Sequence, residues 1–321
     1  MQTHRQHELQ IPDELAGLRL DMALARLLPD YSRSRIKAWI ASGQVTRNGA
    51  ACKPREPVLA GDAIVVDATI ETAVAPRPQA IALDVVFADD SIIVINKPAG
   101  LVVHPGAGNP DRTLQNALLH YRPGLAHLPR AGIVHRLDKD TSGLMVVAAS
   151  VAAHTALVQA MAERTIVREY AAVCIGALTG GGRVDQPLGR HPVERTRMAV
   201  RRDGRAAVTH YRLLQRFRAH SHIGVRLETG RTHQIRVHMA WLRHPLVGDR
   251  LYGGRLQIPA GASDELEAAL RGFRRQALHA CRLGLVHPDS GEEMTWTAPV
   301  PADFAALLEA LRQDSAAHAG G

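Results

Sequence analysis

The sequence predicts an α+β protein in which a large domain surrounds a mixed, largely antiparallel sheet with flanking helices, and a small α/β module precedes it. Strand-like and helix-like segments interleave beyond residue 81 without the regular βαβ repeat of a parallel sheet. Before residue 68, two short helical patterns are followed by short strands. With 321 residues, 46% of them hydrophobic, the chain is long enough for both units.

The small module is expected over residues 18–67. Leucines recur at helical spacing in Leu20–Leu28, and Ser32 is a suitable amino-terminal cap for a second helix over residues 33–42. A short strand then enters an Asn-Gly turn at residues 48–49, which is a typical hairpin connection. The order therefore predicts two helices followed by small strands.

Composition sets the remaining boundaries. We expect an extension at residues 1–17, a Pro-interrupted linker at 68–80, the large domain at 81–312 and a flexible tail at 313–321. In the large domain, strands are expected at residues 84–88, 92–96, 144–149, 170–175 and 223–227, and helices at 152–164 and 232–242.

Charge is the clearest compositional signal. The formal net charge is +8 and the sequence pI is about 9.9, which favours a polyanionic partner such as nucleic acid or an anionic membrane surface. The sequence contains no run of about 18 apolar residues, the length that a membrane-spanning helix needs. The first residues lack the apolar stretch of a signal peptide, so a cytoplasmic protein is expected.

Cysteine and histidine usage argue against disulfides and metal. The three cysteines lie far apart and form no Cys-x-x-Cys pair. The 17 histidines include no His-Glu-x-x-His pattern. We therefore expect reduced thiols and no metal site.

Two stretches concentrate basic residues. Residues 18–62 hold eight Lys or Arg against four acidic residues, and residues 189–218 hold nine Arg against two. A solvated helix face or turn is the ordinary explanation, but this density of one sign favours contact with a nucleic-acid backbone, whose phosphates arginine binds in a bidentate manner. The expected nucleic-acid-binding residues are Arg33, Arg35, Lys37, Arg47, Arg190, Arg195, Arg197 and Arg231. For Arg231, the alternative role is to cap its loop.

A charged loop between two strand-like segments is the most informative part of the chain. It covers residues 132–144 and presents Asp138 close to Arg136. Alone, an aspartate near Thr-Ser-Gly most often forms a turn. Four later segments accompany it: Arg168-Glu169-Tyr170, Thr229–Met239, His244–Asp249 and Arg275–Ala280.

In this order and spacing, these segments resemble the pseudouridine synthases of the ribosomal large-subunit type. The resemblance covers nearly the whole chain, and the small module resembles an S4 RNA-binding domain. It implies the pseudouridine synthase fold and the isomerisation of uridine to pseudouridine in folded RNA. The N-glycosidic bond breaks and a carbon–carbon bond forms to the same sugar, without a redox step, so no cofactor is expected.

One subgroup of this family is also similar over residues 106–111 and 116–121. That likeness implies 23S ribosomal RNA as the partner, in the assembled or assembling large subunit. The expected targets are clustered uridines of the helix 69 stem-loop.

The resemblance implies roles for five residues. Asp138 is the nucleophile or base at the sugar or the uracil ring, and Arg236 is its ion-pair partner, because an aspartate stays ionised beside a cation. Tyr170 stacks on the uracil and assists removal of the proton at C5, and Leu278 forms an apolar wall. Arg136 fills the gap that the uridine leaves in the helical stack.

Other interpretations of these residues stay open. Asp140 could be the catalytic carboxylate, although its position fits a turn. Tyr170 and Leu278 could be ordinary core residues of their strands. The protein could also be a non-catalytic RNA-binding protein of ribosome assembly, an N-glycosidase with Asp138 and Asp140 as its carboxylate pair, or a synthase for another ribosomal or transfer RNA site. No heptad pattern indicates self-association, so a monomer is expected.

Overall fold

A computed structural model describes residues 2–71, 76–106, 108–194 and 196–318. The chain divides after Ala75 into a small unit and a large unit. No helix within these ranges has both the length and the apolar character needed to cross a membrane.

The small unit contains the two predicted helices and a four-stranded antiparallel sheet with strand order β1-β4-β2-β3. Its elements are β1 (Gln2–Gln10), α1 (Leu20–Leu27), α2 (Arg33–Ala41), β2 (Val45–Arg47), β3 (Ala50–Ala51) and β4 (Ala63–Glu71). Leu20, Leu24, Ile36 and Ile40 pack with Val66 in one apolar core. The Ser32 hydroxyl accepts a hydrogen bond from the Arg35 amide, as a cap should.

The small unit extends beyond its expected boundaries at both ends. Residues 2–10, expected in an extension, form β1 and pair with β4 along their whole length. Residues 68–71, expected in the linker, continue β4. The pairing relies on backbone hydrogen bonds, and β1 consists mostly of polar residues without an apolar alternation. That explains why the sequence pattern does not reveal it. Residues 72–75 of the expected linker lie outside the described part of the chain.

The large unit interleaves strands and helices. Its strands are β5 (Val85–Ala88), β6 (Ile92–Lys97), β7 (Ser142–Ala148), β8 (Val167–Ile175), β9 (Gly182–Asp185), β10 (Leu188–Arg190), β11 (Met198–Val200), β12 (Val208–Arg216), β13 (His220–Leu227), β14 (Leu278–Val286) and β15 (Glu293–Thr297). Its helices are α3 (Leu114–Tyr121), α4 (Val151–Glu163), α5 (Gln234–Trp241), α6 (Asp264–Gly272) and α7 (Ala302–Ala317). Short 3₁₀ turns lie at residues 123–127 and 129–132.

The main sheet is mixed and largely antiparallel, which confirms the predicted fold class. In the described residues its order is β5-β6-β7-β14-β8-β13-β12-β9, with β15 paired to β14. Among the described strands, only β7 and β14 pair in parallel, where Ser142 and Gly143 lie opposite His279 and Ala280. Gly143 has a φ of +116°, and a side chain there would meet the Ala280 carbonyl at 2.3 Å. Glycine thus lets the start of β7 lie directly against β14.

The central strands are buried on both faces. Ile93 and Ile95 of β6 pack with the face that carries α3 and α5, while Ile92 and Val94 pack with the face that carries α4. In β8, Tyr170 belongs to the first face, whereas its neighbour Ala171 packs with α6 and α7. The alternation of strand side chains therefore assigns each residue of β8 to one layer.

The expected flexible tail is instead largely helical, so that prediction is wrong for residues 313–317. Helix α7 continues to Ala317. The Asp314 carboxylate is buried and accepts hydrogen bonds at 3.2 Å from the Arg218 guanidinium and from the Ser263 amide. This buried ion pair anchors the last turns, although their polar composition resembles that of a loose end.

Candidate active site

The five residues predicted for the active-site pocket line one cavity of about 260 Å³ in the large unit. They are Arg136, Asp138, Tyr170, Arg236 and Leu278. They come from different elements: the loop before β7, then β8, α5 and the first residue of β14. The parallel pairing of β7 with β14 brings the loop and Leu278 to the same edge. The sheet topology therefore assembles residues that are up to 142 positions apart in the chain.

Asp138 and Arg236 form an ion pair in this cavity. Nη1 of Arg236 donates a hydrogen bond of 3.0 Å to Oδ2 of Asp138. The Asp138 side chain is 17% exposed and the Arg236 side chain 8%, so the pair is mostly shielded from water. Charge-assisted hydrogen bonds of this kind are stronger than neutral ones. The expected partnership of the two residues is present in the geometry.

Arg236 is itself held by a second carboxylate, Asp249. Its Nε and Nη2 donate to the two Asp249 oxygens at 2.6 and 2.9 Å. Burial opposes the charged guanidinium, but these bonds and the charge of Asp138 raise its pKa further above its usual range. One guanidinium thus faces two carboxylates, and Asp138 retains part of its negative charge.

His233 lies on the other side of Asp138. Its Nε2 is 3.9 Å from Oδ1 of Asp138, and its Nδ1 is 2.8 Å from the Tyr252 hydroxyl. That hydroxyl accepts a hydrogen bond from the Met198 amide, so its own proton is available to Nδ1. Burial lowers the His233 pKa against the charge of Asp138. This network favours a neutral imidazole whose Nε2 proton faces the aspartate.

Asp249 and Tyr252 are functional candidates that the sequence analysis missed. The segment ending in Asp249 belongs to the recognised motifs, and Tyr252 is one of five tyrosines. Oδ1 of Asp249 also accepts hydrogen bonds from the Leu251 and Tyr252 amides. The Tyr252 ring lies 5.0 Å from the Arg236 guanidinium carbon. The sequence offers only the Gly248-Asp249 pair after the apolar Leu246 and Val247, which does not reveal that an arginine reaches Asp249.

Buried polar contacts fix the loop that carries Asp138. The Lys97 ammonium is buried and donates to the carbonyls of Pro98, Leu101 and Lys139 at 2.8–3.0 Å. Burial lowers the Lys97 pKa to about 7, against the charges of Asp140 and Asp138. The Gln276 amide donates to the Thr141 hydroxyl at 3.0 Å. These contacts restrain the loop directly after the aspartate, at Lys139 and Thr141.

Tyr170, Leu278 and Arg136 occupy different depths. Tyr170 is 6% exposed, and burial raises the pKa of its phenol. Leu278 is 4% exposed and packs in the same apolar cluster. Arg136 is exposed and lines the cavity. Tyr170 and Leu278 are thus both core residues of their strands and part of the cavity wall, so the two interpretations of these residues do not exclude each other.

In the small unit, three of the four predicted nucleic-acid-binding residues pair with buried carboxylates. The Asp21 carboxylate is fully buried and lies 2.8 Å from Arg33 and 3.3 Å from Lys37. Arg47 pairs with Asp62 at 2.7 Å and also donates to the Pro57 carbonyl. Arg35 is half-buried in α2. The carboxylates hold the basic groups in place, a structural role that the sequence pattern did not indicate.

In the large unit, the predicted arginines are dispersed. Arg197 pairs with Glu194 at 3.0 Å and lies 5.4 Å from the Tyr252 ring centre. Arg231 lines the cavity and donates to the Ala206 carbonyl. Arg190 ends β10, and its carbonyl accepts a bond from Arg201. Arg195 lies outside the described residues. Within the ranges described, no three histidine, cysteine or acidic side chains cluster so as to hold a metal ion.

Comparisons with known proteins agree with this architecture. The RNA pseudouridylate synthase family matches residues 91–241, and the S4 domain family matches residues 18–64. Ribosomal large subunit pseudouridine synthase D of Yersinia pestis is 58% identical over 95% of this chain and 94% of its own. The protein of the same name from Escherichia coli (strain K12) is 57% identical over 96% and 95%.

Solved structures give the same result. Human RNA Pseudouridylate Synthase Domain Containing 4 is 27% identical with a TM-score of 0.58, covering 71% of this chain and 92% of its own. Human RNA Pseudouridylate Synthase Domain Containing 1 is 25% identical with a TM-score of 0.55, covering 73% and 96%. Since the identity to the bacterial enzymes extends over nearly the full length of both chains, this protein belongs to the RNA pseudouridine synthase family and carries an S4 domain.

Proposed function

We propose that this enzyme converts uridine to pseudouridine in 23S ribosomal RNA, at the clustered uridines of the helix 69 stem-loop. The observation that carries the proposal is the Asp138–Arg236 pair in a cavity that also contains Tyr170. The relatives named ribosomal large subunit pseudouridine synthase D support the choice of RNA.

The proposed reaction needs no oxidant or group donor. The bond from C1′ to N1 of the uridine breaks, and its electron pair stays with the uracil. The uracil turns, C5 bonds to C1′, the proton leaves C5, and N1 gains a proton. Asp138 acts as nucleophile or base at the sugar or ring, and the hydrogen bond from Arg236 orients its carboxylate for this role. Tyr170 stacks on the uracil, and Leu278 bounds the ring on its apolar side.

An N-glycosidase is the less suitable reading of the same cavity. Glycosidases place two carboxyl groups across the bond that they break. Among the described residues that line the cavity, Asp138 is the only carboxylate, and Asp140 is not part of the lining. A hydrolase would release free uracil, whereas an isomerase leaves the mass of the RNA unchanged.

The proposed setting is the cytoplasm, with the assembled or assembling large subunit as substrate and the enzyme acting as a monomer without a membrane partner. Arg136, exposed and lining the cavity, fills the gap left by the extruded uridine. The basic residues of the small unit, Arg33, Arg35, Lys37 and Arg47, together with Arg190, Arg195, Arg197 and Arg231, contact the RNA backbone.

Carbodiimide modification followed by primer extension on 23S ribosomal RNA tests the proposed target. Free RNA and intact large subunits are each incubated with the enzyme, and no cofactor is added. Stops in the helix 69 loop are expected with the enzyme. Stops elsewhere would keep the chemistry and reject this target. The absence of new stops on both substrates would favour a non-catalytic role in ribosome assembly.

A further inference from the structure

The cavity contains a buried arginine that the proposed reaction does not yet use. Arg168 lies on β8, two residues before Tyr170, and its side chain faces the same cavity. The residue is only 7% exposed. Its Nε is buried and has no hydrogen-bond partner among the described residues, and within those ranges no carboxylate pairs with its guanidinium.

This arrangement is costly for the folded protein alone. An unpaired buried cation loses hydration without compensation, and such groups are normally paired. Arg236, in the same cavity, has two carboxylate partners. The nearby His135 offers Arg168 no acceptor, because its Nε2 already accepts a hydrogen bond from the Val146 amide and its other ring nitrogen therefore carries the proton. Since no described residue supplies a partner for Arg168, a ligand in the cavity is the natural source of one.

The surrounding backbone leaves room for the guanidinium. A side chain on Gly230 would lie 2.8 Å from Nη1 of Arg168. Glycine at this position in the segment Thr229–Met239 thus allows Arg168 to reach the cavity. His104, which also lines the cavity, has a buried Nδ1 without a partner in the described residues. Two unsatisfied polar groups in one cavity indicate a polar ligand.

Depth identifies the part of the ligand that meets Arg168. The exposed Arg130 and Arg136 and the half-buried Arg231 also line the cavity, and they are accessible to the sugar-phosphate chain. Arg168 is far less exposed and lies next to Tyr170, where a flat base would stack. The inner part of the cavity therefore suits the base and not the phosphate.

We infer that Arg168 is a catalytic residue that donates a hydrogen bond to a carbonyl oxygen of the uracil ring. This inference rests on the proposed isomerisation. When the C1′–N1 bond breaks, the electron pair that passes to the uracil is shared among N1, O2 and O4. A fixed cation at one of these oxygens stabilises that charge in a water-poor site. The charge disappears when C5 bonds to C1′, C5 loses its proton and N1 is protonated.

The first test measures single-turnover pseudouridine formation and RNA affinity for Arg168→Met. We expect the rate constant to fall by about 100-fold at an unchanged Kd, as for loss of one donor to a developing charge. The melting temperature should not fall, because the variant removes an unpaired buried charge. The control is Arg282→Met on the adjacent β14, whose arginine is half-exposed and pairs with Glu169, and it should react like the unmodified enzyme.

The second test uses RNA with 2-thiouridine or 4-thiouridine at the converted positions, because sulfur accepts hydrogen bonds more weakly. One of the two substitutions should slow the unmodified enzyme by roughly tenfold and hardly affect Arg168→Met. Gly230→Ala should also slow the reaction by displacing the guanidinium, with no further effect in the Arg168→Met background.

Several results would overturn the inference while the enzyme itself remains active. These are a normal rate for Arg168→Met, additive effects of both thio substitutions, or melting of Arg168→Met well below the unmodified enzyme. A weaker Kd with a normal rate would assign Arg168 to a phosphate instead. If the unmodified enzyme makes no pseudouridine, the proposed function itself fails.

Discussion

At the residue scale, the immediate surroundings of Asp138 determine its chemistry. Arg236 binds it at 3.0 Å, and Asp249 takes the other side of the same guanidinium. Arg236 therefore orients the aspartate without fully neutralising it. The neighbouring His135 is kept neutral, since burial and the charge of Arg168 lower its pKa to about 3. The loop beside the aspartate therefore gains no second positive charge from His135 at neutral pH.

The neutral state of His135 predicts a pH dependence of stability. The unfolded chain binds a proton at His135 below about pH 6.5, whereas the folded chain does so only near pH 3. The contribution of neutral His135 to the free energy of unfolding is therefore fully present above pH 6.5. It is lost as the pH falls towards 3, by up to about 1.4 kcal/mol per pH unit.

Urea unfolding between pH 4.5 and 7 measures this effect. In His135→Gln, the amide oxygen takes the place of Nε2 and can still accept a hydrogen bond from the Val146 amide. The free energy of unfolding should therefore fall less steeply on acidification than in the unmodified enzyme. The difference in slope should correspond to about one proton fewer bound on unfolding. Parallel curves would show that His135 binds a proton equally in the folded and the unfolded chain, which would contradict its neutral state in the fold.

At the element scale, the site depends on segments that meet only in the folded chain. The loop before β7 and helix α5 could be recognised from their motifs, and both supply residues where expected. The roles of Asp249 and Tyr252 could not be read in this way, because a buried aspartate in a turn looks the same in sequence whether or not an arginine reaches it. Helices α3, α6 and α7 also lie outside the helices expected from the sequence, although Thr113 and Asn116 form a capping box at the start of α3.

The support by Asp249 predicts a loss of activity that exceeds its structural effect. Asp249→Asn removes the charge that holds Arg236, so the rate constant should fall by about 100-fold while RNA affinity is retained. The free energy of unfolding should fall by about 3 kcal/mol, because a buried charge pair is broken. Single-turnover kinetics and urea unfolding measure both quantities.

Asp314→Asn is the matched control for Asp249→Asn. Asp314 is another buried carboxylate whose two oxygens accept hydrogen bonds from one arginine, from Nε and Nη2 of Arg218. This ion pair anchors the end of α7. The variant should lose similar stability and keep full activity when folded. Equal rate losses in both variants would mean that Asp249 acts only through stability.

At the scale of the whole molecule, two units share the work. The large unit contains the complete cavity, and the small unit carries basic groups held by buried Asp21 and Asp62. The mixed sheet was predictable from the interleaving of strand-like and helix-like segments. The separate small unit was predictable from its own helix and strand patterns and its local positive charge. The strand β1 and the extension of β4 were not, because backbone pairing leaves little trace in a polar sequence. We expect the small unit to contribute RNA affinity without taking part in the bond-making steps.

Neutralising the small unit should therefore change binding and not chemistry. Lys37→Gln, combined with Arg35→Gln, should reduce the salt dependence of the RNA Kd by about two in log–log slope, at an unchanged saturating rate constant. Filter binding at several salt concentrations measures the slope. Arg271→Gln on α6 is the control and should leave the slope unchanged. A lower saturating rate in the double variant would contradict this division of labour.

The most direct test of the central claim is nucleoside analysis of 23S ribosomal RNA after incubation with the unmodified enzyme and with Asp138→Asn. Arg236 holds the Asp138 carboxylate in the cavity, so the unmodified enzyme should form pseudouridine. Because the proposed reaction is an isomerisation, it should need no added cofactor and release no free uracil. The variant should bind the RNA equally well and form none. Equal pseudouridine from both proteins would contradict the catalytic role of Asp138, and released uracil would contradict isomerisation.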